Sequence, residues 1–206
     1  MAKRGFLLAL EGVDGCGNSP QAELLATALR ERGLDVVLTC EPTDGPLGRQ
    51  IREYLQGPTR YLSPKEELNL FMADRREHVE EVIEPALAEG KIVITDRYYY
   101  SSVAYQGALG LDPDRILAQN EAMAMRPDLA VILTLPVAQA LARLSVPSQR
   151  ARQVSEDPAY LERVADIYAS LQGPHLRRLD ASGPRQAVHI ALLNLTLELF
   201  EAAKPR

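Results

Sequence analysis

Eight residues near the start of the chain, Gly12-Val13-Asp14-Gly15-Cys16-Gly17-Asn18-Ser19, have the types and spacing of a loop that grips phosphate. Glycines let successive backbone N–H groups curl round anionic oxygens, and a helix opening at the loop's end adds its partial positive charge. Ser19 stands where a hydroxyl would meet Mg²⁺. The pattern asks for Lys at position 18, and this chain has Asn. Asn18 can donate neutral hydrogen bonds, but it brings no charge to the outer phosphates. Pro20 removes a further donor, the amide that in such loops helps to hold the α-phosphate. A plain strand-to-helix turn uses the same glycines, so the neighbouring segments have to decide between the two.

Those segments follow one plan. Short continuous apolar runs at Phe6 to Leu10, Val36 to Leu38, Ile92 to Ile94 and Ala130 to Leu135, and a weaker one around Leu176 to Leu179, read as strands covered on both faces. Helical spacing fills the gaps at Gln21 to Arg32, Leu47 to Leu55, Pro64 to Glu89, Asp112 to Met125, Val137 to Leu144, Pro158 to Leu171 and Gln186 to Ala203. Strands alternating with helices predict an α/β fold, a five-stranded parallel sheet in a three-layer sandwich. Ligands of such sheets sit at the carboxyl ends of the strands. The unusual sequence falls there: EGVDGCGNSP after the first strand, EPTDGPLG after the second, DRYYYSSVAYQG after the third. Residues 145–157, SVPSQRARQVSED, lack periodicity and are expected to form a lid loop.

Composition bounds the rest. At 206 residues and 46% hydrophobic content, the chain suits one compact domain spanning residues 1–206. A net charge of −5 argues against a broad basic surface, so no nucleic acid partner is expected. No apolar stretch reaches the ~18 residues that span a bilayer, and the apolar run after Arg4 is shorter than a signal peptide needs; no membrane is expected either. Two cysteines, Cys16 and Cys40, make neither a disulfide framework nor a metal pattern, which suits a reducing cytoplasm.

Over nearly its whole length the sequence resembles the thymidylate kinases, which are P-loop nucleoside monophosphate kinases. The resemblance rests on LEGVDGCGNS, EPTDGPLGRQIRE, LNLFMADRREHVEEVIEPAL, VITDRYYYSSVAYQG, RPDLAVILTLP, YLERVADIY and a terminal LDASG. It implies the P-loop nucleoside triphosphate hydrolase-like fold and ATP- and Mg²⁺-dependent phosphorylation of dTMP to dTDP, by a homodimer. It assigns Gly12, Gly15, Gly17, Asn18 and Ser19 to the ATP phosphates, and Ser19 with Asp96 to the metal. Phe71 is implied to stack on thymine, Arg75 and Arg97 to hold the acceptor phosphate and the transferring group, and Asp14 to meet the deoxyribose hydroxyl. Glu41, Ser102, Tyr105 and Gln106 are placed around base and sugar, with Tyr105 excluding a 2′-hydroxyl. Arg97, Asp96, Asp14 and a lid arginine, Arg152 by alignment, form the implied catalytic set.

The departures are specific. Beside Asn18 and Pro20, Cys40 replaces a usual Arg, Thr134 a usual Asp, and Ser145 and Pro147 replace the first lid arginines, leaving Arg143, Arg150 and Arg152. The acceptor motifs are kept while the donor grip is depleted. Two readings follow: a dTMP kinase with a weakened ATP site, or a nucleotide-binding homologue with impaired catalysis that keeps the dTMP pocket.

Overall fold

The computed structural model describes residues 4–57, 59–144 and 157–202. All five strands form one parallel sheet, ordered β2-β3-β1-β4-β5, from β1 (Phe6–Gly12), β2 (Val36–Cys40), β3 (Ile92–Asp96), β4 (Leu129–Thr134) and β5 (Leu176–Asp180). Every strand lies where an apolar run predicts it. β1 is central and wholly buried, as a parallel sheet covered on both faces requires. Its ladder pairs Leu10 with Asp96 on one side and Gly12 with Leu133 on the other. The carboxyl ends of β1 and β3 therefore open side by side.

Helices flank the sheet. α1 (Asn18–Arg30) packs against α9 (Arg185–Ala202), and a second group joins α3 (Pro64–His78), α5 (Tyr99–Ala108), α6 (Pro113–Glu121) and α8 (Pro158–Ser170). α2 (Pro46–Gln56) lies beside α3, and α7 (Val137–Leu144) beside α8. Ser63 and Glu66 close a reciprocal capping box at the start of α3.

The long helix expected from Pro64 to Glu89 is interrupted. A π-helical turn, Val79–Ile83, separates α3 from α4 (Glu84–Ala88), and the Glu84 N–H reaches back five residues to the Val79 carbonyl. Pro85 supplies the reason, since its ring has no N–H and would collide with the carbonyl one turn earlier. α5 is not foreshadowed by an amphipathic stripe. Tyr99, Tyr100, Ser102, Val103, Ala104, Gln106 and Ala108 are all buried, so polar and apolar faces do not separate.

The loop after β2 is fastened from two directions. Thr43 donates its N–H and its hydroxyl to Asp74 of α3, and α2 approaches so closely at Gly48 that a Cβ there would sit 1.9 Å from the Thr43 carbonyl oxygen. Gly48→Ala is expected to destabilise the protein by about 2 kcal/mol, the cost of forcing backbone apart. Urea unfolding would show this as a lower midpoint at an unchanged slope.

Candidate active site

β1 runs straight into the glycine loop. Gly12, Gly15 and Gly17 have φ of 144°, 86° and 101°, the left-handed range. At Gly15 a Cβ would lie 2.4 Å from the Ala140 carbonyl oxygen of α7, so loop and helix meet as only glycine allows. Gly17 is the N-cap of α1, and no side chain caps that end. Asn18 is buried; its Oδ1 accepts from the Cys16 thiol at 3.3 Å, while its Nδ2 has no hydrogen-bond partner among the described residues. Burial pushes the Cys16 thiol up to about 12, so it remains a protonated donor. The Ser19 hydroxyl donates directly to the Asp96 carboxylate at the end of β3.

Arg97 follows Asp96 and is the only non-glycine with positive φ, 71°, among the described residues. That conformation costs about 1–3 kcal/mol and persists only where its surroundings fix it. Here they do: the Arg97 N–H donates to the Leu10 carbonyl at 2.8 Å and its carbonyl accepts from the Thr95 hydroxyl at 2.6 Å. The bend turns the guanidinium back over the glycine loop. Nη1 donates to the Gly12 carbonyl (2.9 Å) and to Ser101 Oγ (3.1 Å), and Nη2 to Asp14 Oδ1 (2.5 Å). The guanidinium also lies 5.2 Å from the centre of the Tyr105 ring, whose hydroxyl accepts from the Asp14 N–H at 2.9 Å. Asp96, Arg97, Asp14, Tyr105 and Ser19 thus form one cluster across the ends of β1 and β3.

Beside it lies a buried polar network. Arg75, 1% exposed, donates from Nε and Nη2 to Glu41 Oε2 (2.9 and 2.6 Å) and from Nη1 to Ser102 and Asn120 (3.1 and 2.6 Å). The other Glu41 oxygen meets His78 Nδ1 at 3.0 Å, and His78 Nε2 meets Thr39 Oγ1 at 2.8 Å. Burial alone would raise the Glu41 carboxyl, but the Arg75 charge and the His78 hydrogen bond outweigh it and hold the group below its usual range. Gln106 donates to Glu67 at 2.9 Å, and its buried Oε1 has no partner among the described residues. Phe71, one turn before Arg75 on α3, is half-buried and stands outside the hydrophobic core. That position differs from ordinary core packing of a phenylalanine.

Further residues around the cluster are given no role by the motifs that contain or flank them. Arg52 of α2 folds over the loop after β2, donating to the Pro42 and Thr43 carbonyls at 2.6 Å each. Asn120 and His78 are reached only through tertiary structure. Tyr98, Tyr99 and Tyr100 are all buried. Arg143 donates to the Ala181 carbonyl (2.8 Å) and more distantly to that of Cys16 (3.4 Å). Arg150, Arg152 and nearly all of the expected lid lie outside the described residues.

A central parallel strand feeding a glycine loop, with an arginine from the next strand folded over it, defines an α/β protein of the phosphate-loop kind. A sequence model of thymidylate kinase matches residues 10–192. The thymidylate kinase of Desulfotalea psychrophila is 46% identical over 179 residues, covering 86% of this chain and 87% of its own. That of Xanthomonas campestris pv. campestris is 47% identical over 184 residues (89% and 79%), and that of Akkermansia muciniphila 42% identical over 186 (90% and 88%). The chain belongs to the thymidylate kinase family, enzymes that are nucleoside monophosphate kinases.

Removing one partner of the buried Arg75–Glu41 pair leaves the other charge uncompensated. Arg75→Met is expected to cost about 3–5 kcal/mol in chemical unfolding, and adding Glu41→Gln should recover a substantial part. The pair also sets a pH dependence. Glu41 has a lowered folded pKa, so its stabilisation is present above ~4.5 and is lost as pH falls through the lower folded value. Thermal midpoints of the native protein should therefore fall more steeply below about pH 4.5 than those of the double variant.

Proposed function

We propose that the chain transfers the γ-phosphoryl group of ATP to dTMP, giving dTDP and ADP. The observation that carries this reading is Arg97, held in a left-handed conformation with its charge aimed from β3 over the glycine loop of β1. An acceptor phosphate bound there lies beside the loop that takes the donor. Phe71, half-exposed and outside the core, offers a face for the thymine ring, and the unpaired Gln106 Oε1 offers an acceptor for a base N–H. Arg75 has its charge matched by Glu41, and it serves as the floor of the pocket that positions Ser102. The Tyr105 hydroxyl, anchored by the Asp14 amide, fills the space a 2′-hydroxyl would need.

In the reaction a dTMP phosphate oxygen forms a bond to the γ-phosphorus as the bond to the β–γ bridging oxygen breaks, and ADP leaves. Arg97 holds the acceptor in line and offsets charge on the equatorial oxygens. The Ser19 hydroxyl and the Asp96 carboxylate, in direct contact, are hard oxygen ligands suited to Mg²⁺. When bound, the metal neutralises charge on the β- and γ-phosphates. Asn18 offers its unpaired amide to a phosphate oxygen, in place of a lysine ammonium. By the family resemblance Arg152, outside the described residues, would complete the catalytic set. A single domain, a homodimer and a cytoplasmic setting complete the proposal. They are supported by the family resemblance and by two free cysteines; no helix among the described residues is long and apolar enough to cross a membrane.

A coupled assay with ATP, Mg²⁺ and dTMP is expected to show turnover that rises on the order of a hundredfold in the Asn18→Lys, Pro20→Thr double variant, with dTMP affinity unchanged. Equal turnover in the two proteins would mean that another cation does the lysine's work, and no turnover in either would leave only nucleotide binding. Phe71→Ala should weaken dTMP binding by roughly 1–3 kcal/mol in calorimetry. The unmodified protein should prefer dTMP to its ribo counterpart, and Tyr105→Ala should narrow that preference; equal affinities would refute the sugar assignment.

A further inference from the structure

Glu11 is the last side chain before the glycine loop, and the phosphoryl transfer itself gives it no task. It is completely buried, yet it forms no ion pair among the described residues. A carboxylate in such a place is costly unless its lone pairs are taken up. Three donors from two other regions of the fold take them up. Oε1 accepts from the Tyr98 N–H at 3.0 Å; Oε2 accepts from the Ser101 hydroxyl at 2.6 Å and the Tyr168 hydroxyl of α8 at 3.0 Å.

Two of these contacts bear directly on Arg97. Tyr98 is the residue after it, so the bond to Glu11 pins the C-terminal side of the left-handed bend. Ser101 accepts from Arg97 Nη1 at 3.1 Å. A hydroxyl has one proton. When Ser101 donates it to an ionised Glu11, only lone pairs remain to face the guanidinium.

We propose that Glu11 is the positioning residue of this site: its ionised carboxylate orients the Ser101 hydroxyl and the Tyr98 amide, and so aims Arg97 at the acceptor phosphate. This rests on the reading of Arg97 given above. A neutral side chain at position 11 reverses the relay. A protonated Glu11, or the amide that Glu11→Gln introduces, donates towards Ser101 Oγ and turns the serine proton towards Arg97. The charged and titratable groups around Glu11 are Arg97, Arg75 on α3, Tyr168 on α8 and Tyr100 on α5. Burial pushes the Glu11 carboxyl up to about 7, against the opposing pull of Ser101, Arg97, Tyr168 and Arg75. The carboxylate is therefore present above about pH 7 and lost below it.

Calorimetric dTMP affinity of the native protein and of Glu11→Gln tests this across pH, because protonation of the nucleotide's own phosphate affects both alike. The variant should bind dTMP about tenfold more weakly at about pH 8.5, and the gap should close towards pH 6, where native Glu11 is neutral as well. Tyr168→Phe, which removes one donor to the carboxylate, should shift the native midpoint upward and serves if Glu11→Gln does not fold. A gap of the same size at both pH values, or none, overturns the proposal when Arg97→Ala abolishes binding. If Arg97→Ala binds dTMP normally, the phosphate role of Arg97 falls and this proposal falls with it.

Discussion

The geometry of the site depends on a backbone bend at a residue that does not favour it. Arg97 adopts a left-handed conformation because the edges of two neighbouring strands leave it no alternative: its amide is tied to Leu10 and its carbonyl to Thr95. Without the bend, the side chain would follow β3 outward. With it, a cation from one strand lies across the loop that ends the next. The parallel register of β1 and β3 brings the two ends level, so sheet topology is a direct condition of the chemistry.

The two halves of the site are organised unequally. On the side proposed for the acceptor, Arg75, Glu41, His78, Ser102 and Asn120 satisfy one another in the interior, and Asp14, Arg97 and Tyr105 are locked together at its edge. Such a network leaves little reorganisation to be done when a nucleotide enters. On the donor side, the loop presents backbone curvature and a neutral amide with an unpaired buried nitrogen. Preorganisation marks the side proposed for dTMP, whereas position 18 of the loop proposed for ATP brings a neutral amide in place of a lysine ammonium. Arg143 lies near this loop, but its guanidinium is taken by carbonyl groups.

Much of this was legible in the sequence, for identifiable reasons. Continuous apolar runs located β1, β3 and β4 because both faces of the sheet are covered there, the weaker run Leu176 to Leu179 located the partly exposed β5, and the glycine spacing located the loop because few other residues tolerate its backbone. α5 escaped because a helix buried on nearly every side has no polar face to mark it, and the π turn at Val79–Ile83 escaped because Pro85 tells of a disruption without telling its form. Residue roles were harder still. The resemblance implies a phosphate role for Arg75, but not its contacts with Glu41, Ser102 and Asn120, which come from three separate segments. Glu11 read only as the first residue after the first strand, because burial of a carboxylate among hydroxyls from residues 101 and 168 is not a local property.

The strand order also governs the sequence in which the protein can be built. β1 is made first but lies in the middle, where Phe6 pairs with Ile92 and Leu8 with Leu129. A chain emerging from the ribosome carries this apolar segment without its full set of partners until more than half of its 206 residues exist. Local helices can form meanwhile, whereas the central ladder must wait for loop closure over long separations, the slow kind of folding step. During that interval the exposed Phe6–Gly12 segment is the part of the nascent chain most in need of a chaperone's protection.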